Sequence, residues 1–136
     1  MAVTSEKESE KQAGGNRTMG RKEIIPYALY RAHGFVSPHM AEQTGFNDAD
    51  LQLLWTSLEQ MFEHDRSAAR GEMGTCALFI FKHASKLGNC SARKLFDMIE
   101  VVQRNPAIPP RCFDDYEVTI PANKDLPAGV DFEQRV

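Results

Sequence analysis

The stretch CALFIF (76–81) constrains this chain more than any other. It is short and unbroken in its apolar character. It lies between the polar loop HDRSAARGEMG (64–74) and Lys82-His83. An alternating pattern would mark a strand with one wet face; a short continuous apolar run suits a strand covered on both faces. Such a strand needs layers above and below it and neighbours along its edges. The rest of the sequence is read for what supplies them.

Upstream lies a strong amphipathic helix. Asn47 suits the cap, and Asp48 and Asp50 fall in the first turn, where the helix dipole favours anions. Leu51, Leu54, Trp55, Leu58, Met61 and Phe62 follow the helical spacing and form a core-facing stripe. Before it, Ser37-Pro38 opens a short helix that Gly45 closes. The preceding segment IIPYALYRAHGFV (24–36) reads as a strand. Ile25, Tyr27, Leu29, Arg31, His33 and Phe35 share one face by the period of two. Pro26 places itself near the strand start or on an edge.

Downstream, Leu87-Gly88-Asn89 makes a turn. A helix begins at Ser91, with Ala92, Leu95, Phe96 and Ile99 on its inner face. Arg93 and Lys94 sit near its N-terminus, against the dipole preference. Residues 104–114 are a proline-punctuated connector, and YEVTI (116–120) is a short strand. After Pro121 the chain reads as a tail with one extended piece over 130–132. Residues 1–20 lack apolar periodicity, Gly14-Gly15 breaks any helix, and the segment reads as a mobile tail or a loop that orders on binding.

A β-α-β crossover at the centre of this order points to an α+β or α/β sandwich with a thin sheet that needs more strands. The chain has 136 residues, 42% apolar and 26% charged, which suits one domain and excludes collagen, coiled coil and wholesale disorder. No apolar run approaches the roughly 18–20 residues of a membrane helix, and the first residues do not form a secretory signal. Cys76, Cys90 and Cys112 have no CxxC spacing and read as reduced thiols of a cytoplasmic protein.

The net charge of −3, taken alone, argues against a nucleic-acid binder. Its distribution says more. Residues 17–35 carry Arg17, Arg21, Lys22 and Arg31 against Glu23 alone. Residues 36–63 carry Glu42, Asp48, Asp50, Glu59 and Glu63 with no Lys or Arg. Residues 64–94 carry Arg66, Arg70, Lys82, Lys86, Arg93 and Lys94 against Asp65 and Glu72. Two readings fit: one basic surface flanking an acidic helix, or an ordinary solvated mixture.

The chain carries no phosphate-binding glycine loop, dinucleotide fingerprint, zinc-protease helix or nucleophile elbow. His33, His39, His64 and His83 do not form a ligand cluster in sequence, so neither a metal nor another cofactor is expected. His64 with Asp65 or Glu72 allows an acid–base pair or, more simply, His64 is a histidine at a helix end. Cys76 behaves as a small hydrophobe in an apolar strand, and no base accompanies Cys90 or Cys112. In HDRSAARGEMG, Arg66 and Arg70 with Ser67 either grip phosphate or pair with Glu63, Asp65 and Glu72. NRTMGRK (16–22) combines cations with a glycine for close approach and Met19 as an apolar wedge.

Together, NRTMGRK, IPYALYRAHGF, AEQTGF, MFEHDRSAARGEM, FKHASKLGN and the closing DYEVTIPANKDLPAGV resemble one family. It is the crRNA-coating backbone subunit of the type I-C (Dvulg-type) CRISPR Cascade. The likeness covers nearly the whole chain. Members are about twice as long, so the resemblance is to the C-terminal half. It implies an α+β fold: a partial RRM-like, ferredoxin-like palm over 23–120, a thumb-like arm over 1–22 and a tail over 121–136. The strand 24–36, the helix 47–63 and a strand over 75–82 would form the second split β-α-β unit. Its two strands would run parallel across a gap that the palm's first strand normally fills, leaving an exposed edge.

The resemblance further implies a non-catalytic protein that polymerises on guide RNA (crRNA), beside neighbouring Cascade backbone subunits and other Cascade proteins. Target DNA is met indirectly, through guide pairing, and no membrane is involved. Arg17, Arg21 and Lys22 would contact phosphates from the thumb, and Met19 would press on a displaced base. Arg66, Ser67, Arg70 and Lys86 would line the palm or a neighbour contact. Some relatives cut RNA with a palm-loop aspartate, for which Asp65 is the residue to check. A shortened subunit with an open strand edge would alternatively cap or inhibit Cascade assembly.

Overall fold

Short-range chemistry sets the helix ends. The computed structural model describes residues 25–65 and 71–136. Helix α1 (Pro38–Thr44) starts where the Ser37 hydroxyl accepts from the Met40 N–H. It stops at Gly45, whose φ of 76° lets its N–H return to the Ala41 carbonyl. Helix α2 (Asp48–His64) opens with a reciprocal capping box. Asn47 Oδ1 accepts from the Ala49 and Asp50 N–H groups, and Asp50 Oδ2 accepts from the Asn47 N–H at 3.0 Å. The caps expected at Ser37, Gly45 and Asn47 are all in place.

The strands form two antiparallel ribbons, giving an α+β fold compatible with part of an RRM-like split β-α-β unit. Strand β1 (Leu78–His83) pairs with β4 (Val130–Arg135), from Leu78 opposite Arg135 to His83 opposite Val130. Between them lies helix α3 (Ala92–Asp97). A second ribbon follows, β2 (Glu100–Gln103) with β3 (Tyr116–Thr119). Its connection is closed by the Arg104 N–H donating to the Asp115 carbonyl and by Arg104 Nε donating to the Asp114 carbonyl. Asp115 Oδ2 accepts from the Arg111 and Cys112 N–H groups, and these bonds hold its carboxyl below the usual range.

Both ends of the β1–β4 ribbon are fastened. At one end, Ala84 N–H donates to the Gly129 carbonyl, and Asn89 ties the turn to the end of β1. Its N–H donates to His83 Nδ1 at 3.0 Å and its Oδ1 accepts from the Ser85 N–H at 2.9 Å. At the other end, Arg135 reaches α2. Its Nε lies 2.8 Å from Glu59 Oε1, an ion pair off the hydrogen-bond line, and Nη1 donates to Gln52 Oε1. Thr75 Oγ1 also donates to the Leu58 carbonyl. Phe132 contacts Phe79 and Phe81 across the ribbon, with centroids 5.8 and 5.1 Å away.

The core is small. Leu95, Ile99 and Val130 are the buried hydrophobic residues among those described. No residue of α2 is buried; Leu51, Leu54, Trp55, Leu58 and Phe62 are half-covered, and Met61 is exposed. The strand read from CALFIF begins at Leu78, and Leu78, Phe79, Ile80 and Phe81 are each half-buried, not enclosed on both faces. The cause is visible: β4 is the one strand paired with β1 among the described residues. The Ala84–Gly129 bond sets the alternation, so the main chain of Leu78, Ile80 and Lys82 faces β4. The main chain of Phe79, Phe81 and His83 faces the open edge.

Three further expectations need correction. Residues 25–36 form no strand, because no described strand lies alongside to complete a ladder. The parallel pairing of that segment with β1 therefore does not occur; β1 pairs antiparallel with β4. The extended piece expected over 130–132 is longer and is a paired strand, so the end of the chain is part of the sheet structure.

Gly129 has a φ of 77°, and a Cβ there would sit 2.5 Å from Asn89 Nδ2. Gly45 has a similar φ but open space around it. The left-handed backbone alone costs an L-residue roughly 1–2 kcal/mol. Gly45→Ala is expected to lose about that much stability, and Gly129→Ala more, because Asn89 has to give up its place in the knot. Urea unfolding midpoints of the two variants, at equal slope, check this ordering.

Candidate nucleic-acid interface

The segment over 25–36 is extended without being a strand, and side-chain contacts fix its course. Its alternation survives from Tyr27 to Phe35, while Ile25 is exposed. Tyr27 and Leu29 are half-buried, and Arg31, His33 and Phe35 all reach the region of α3. Arg31 Nη2 donates to the Phe96 carbonyl at 2.6 Å, and Nη1 donates to the Ile99 carbonyl at 2.8 Å. The end of a helix leaves carbonyls without intrahelical partners and carries partial negative charge, so a guanidinium there serves both needs. Tyr27 meets the Tyr116 ring at 6.2 Å. Burial, with the neighbouring Cys76, Tyr116, Cys112 and Asp115, pushes its phenol above the ordinary value.

Three rings gather on this side of α3. His33 lies flat on Phe96, with centroids 4.0 Å apart and planes within 6°. Phe35 meets Phe96 edge-on at 5.6 Å and is itself 75% exposed. One helical turn before Phe96, Arg93 makes a long 3.8 Å pair with Asp97 and is almost fully exposed. Lys94 is exposed and has no ion-pair partner among the described residues.

Of the residues singled out in the sequence, Arg17, Met19, Arg21, Lys22, Arg66, Ser67 and Arg70 lie outside the described residues. Lys86 is described, and its ammonium pairs with Glu42 on α1, holding that carboxyl below its usual range. His64 ends α2 and Asp65 is its C-cap. Among the described residues, no cluster of three or more His, Cys, Asp or Glu side chains is placed for a metal ion. No described helix is long and apolar enough to cross a membrane. A shallow cavity of about 220 Å³ lies at Gln103, Arg104, Asn105, Ile108, Pro109 and Asp115. Much of its polar lining is engaged in closing its own loop.

Sequence reasoning placed Arg31, His33 and Phe35 on one face and Phe96 on the inner face of its helix. It did not show that the two faces meet. Arg31→Met removes both carbonyl bonds while keeping an unbranched side chain. Charged hydrogen bonds contribute about 1.5–3 kcal/mol, less where water competes, so a loss of about 1 kcal/mol is expected. Amide exchange should accelerate over 27–36 and stay unchanged in the middle of α2. Equal acceleration in both would show that Arg31 does not fasten this segment locally.

A search of curated proteins returned no match. A family model, described as CRISPR-associated protein Cas7, matches residues 1–121. That span takes in the basic NRTMGRK stretch, the segment lying on α3, both helices before β1, and the ribbon β2–β3. The chain thus belongs to the Cas7 family of CRISPR-associated, crRNA-binding backbone proteins.

Proposed function

We propose that this chain is a non-catalytic crRNA-binding backbone element of a type I-C Cascade surveillance complex in cytoplasmic antiviral defence. The observation that carries the reading is the family match over residues 1–121. The subtype rests on the stretches MFEHDRSAARGEM and DYEVTIPANKDLPAGV, which resemble the C-terminal half of the type I-C subunit. In this reading the guide passes a thumb-like arm over 1–22. Arg17, Arg21 and Lys22 hold its phosphates, and Met19 presses on a displaced base. Arg66, Ser67, Arg70 and Lys86 line the palm side or a contact with a neighbouring backbone subunit. Target DNA meets the guide by base pairing, not by protein side chains.

Filter binding to single-stranded RNA over a salt series tests the arm. Each neutralised phosphate contributes about 0.7 to the slope of log affinity against log salt on a single strand. Arg21→Glu with Lys22→Glu should weaken binding and flatten the slope by about 1.4. An unchanged affinity and slope would remove the arm from the interface.

A second reading is favoured by the open edge of β1, where the main chain of Phe79, Phe81 and His83 faces away from β4. A backbone subunit docking a strand there would be capped, and Cascade assembly would stop. Added to intact Cascade proteins with guide RNA, the chain is then expected to co-purify with them and shorten the assemblies. Assemblies of normal length with the chain spread along them would sink the capping reading and favour the first.

A further inference from the structure

The aromatic cluster on α3 is not needed for the small core. Leu95 and Ile99 of the same region are buried, while His33 and Phe35 stand in solvent. An exposed phenylalanine gains little by folding, yet this one is held in place. Arg31 fixes the backbone two residues before His33, and Phe96 supports both His33 and Phe35. The rings are thus presented in fixed positions, with much of their rotamer freedom already lost before any ligand arrives.

The charges on α3 select the ligand class. Arg93 lies near the start of α3, and Lys94 falls in the last turn of this six-residue helix. Arg93 has Asp97 as a distant partner, and Glu100 is the next acidic group along the chain. Exposed rings with an exposed cation, Arg93, one helical turn before Phe96 match an anionic polymer carrying flat apolar units. A base has a π-face for the rings, and its backbone has phosphates for the cation. Neither sheet takes part, since Phe96 is on α3 and His33 and Phe35 are on the segment before α1.

We propose that His33 and Phe35, supported by Phe96, form a ledge on which a base of single-stranded RNA stacks, with Arg93, one helical turn before Phe96, holding an adjoining phosphate. The proposal rests on the RNA-binding reading above and adds a contact away from the arm over 1–22. Stacking on one aromatic ring changes affinity by about fivefold to a hundredfold.

The test compares the full chain with Phe35→Ala, Phe35→Tyr and His33→Ala, on a short mixed-sequence single-stranded RNA and on an abasic strand of the same length. Phe35→Ala and His33→Ala should each weaken RNA binding at least about fivefold and leave the salt slope unchanged. Phe35→Tyr should bind like the unaltered chain. On the abasic strand, all four proteins should bind alike. Circular dichroism melts keep the comparison to folded protein, and the exposure of Phe35 makes its loss harmless to the core.

If the unaltered chain binds no RNA, the RNA-binding reading fails and takes the ledge with it. If it binds but both alanine variants match it, the ledge alone is overturned, and the exposed rings are reassigned to a protein contact. Equal weakening on the abasic strand also overturns the ledge, because no base is there to stack.

Discussion

The antiparallel pairing of Leu78–His83 with Val130–Arg135 joins the middle of the chain to its end, and the other described elements are arranged around it. Long-range pairing of this kind carries a loop-closure cost, which local contacts at both ends of the ribbon offset. Asn89 ties the turn after β1 to His83 and Ser85, and packs so closely against Gly129 that a Cβ there would displace its side chain. At the far end, Arg135 draws α2 toward β4 through Glu59 and Gln52. With the ribbon closed, α3 and the β2–β3 pair form one excursion from it. Two of the three buried hydrophobic residues among those described, Leu95 and Ile99, lie in that excursion, and the third, Val130, begins β4.

Satisfying the ribbon leaves other groups open. A strand in a two-stranded ribbon uses half of its main-chain hydrogen-bonding capacity, and β1 turns the other half outward at Phe79, Phe81 and His83. The stripe on α2 is likewise half-covered along its length. Both features have one cause: residues patterned for a layered interior have few layers around them among the described residues. An apolar strand with an open edge and a helix with a half-covered stripe are what a piece of a larger assembly presents. That agrees with a family whose members act as backbone subunits.

The sequence showed local features well and partnerships poorly. Ser37, Gly45 and Asn47 were legible because a cap is decided within a few residues. The period of two was legible too, and Tyr27, Arg31, His33 and Phe35 each make the inward contacts, while Ile25 is exposed. Alternation reports which side chains share a side, not whether a neighbouring backbone completes a ladder, so the strand inferred from it is absent. Strand β2 was missed because EVVQ follows α3 almost at once and is too short to show a pattern. Strand β4 was read short because VDFEQR alternates apolar residues with charges, as a solvated tail also does. The site was half-legible for the same reason. Arg31 and Phe96 are 65 positions apart, and nothing local signals that a guanidinium near the start will cap a helix near the middle.

The placement of the cations resolves the conflict between a net charge of −3 and an RNA-binding role. Most arginines with described partners serve the fold. Arg31 holds the end of α3, Arg104 closes the β2–β3 loop, and Arg135 joins β4 to α2. Lys86 is held by Glu42. A charge already neutralised by a protein group contributes little to counterion release, so total charge is a poor guide to RNA affinity here. What counts is the subset left uncommitted. Among the described residues that subset includes Lys94, with Arg93 only weakly paired and one helical turn before Phe96. On the ledge reading, Arg93 and the rings carried on Phe96 share one side of α3, which neither the sum of charges nor the count of aromatics would have located.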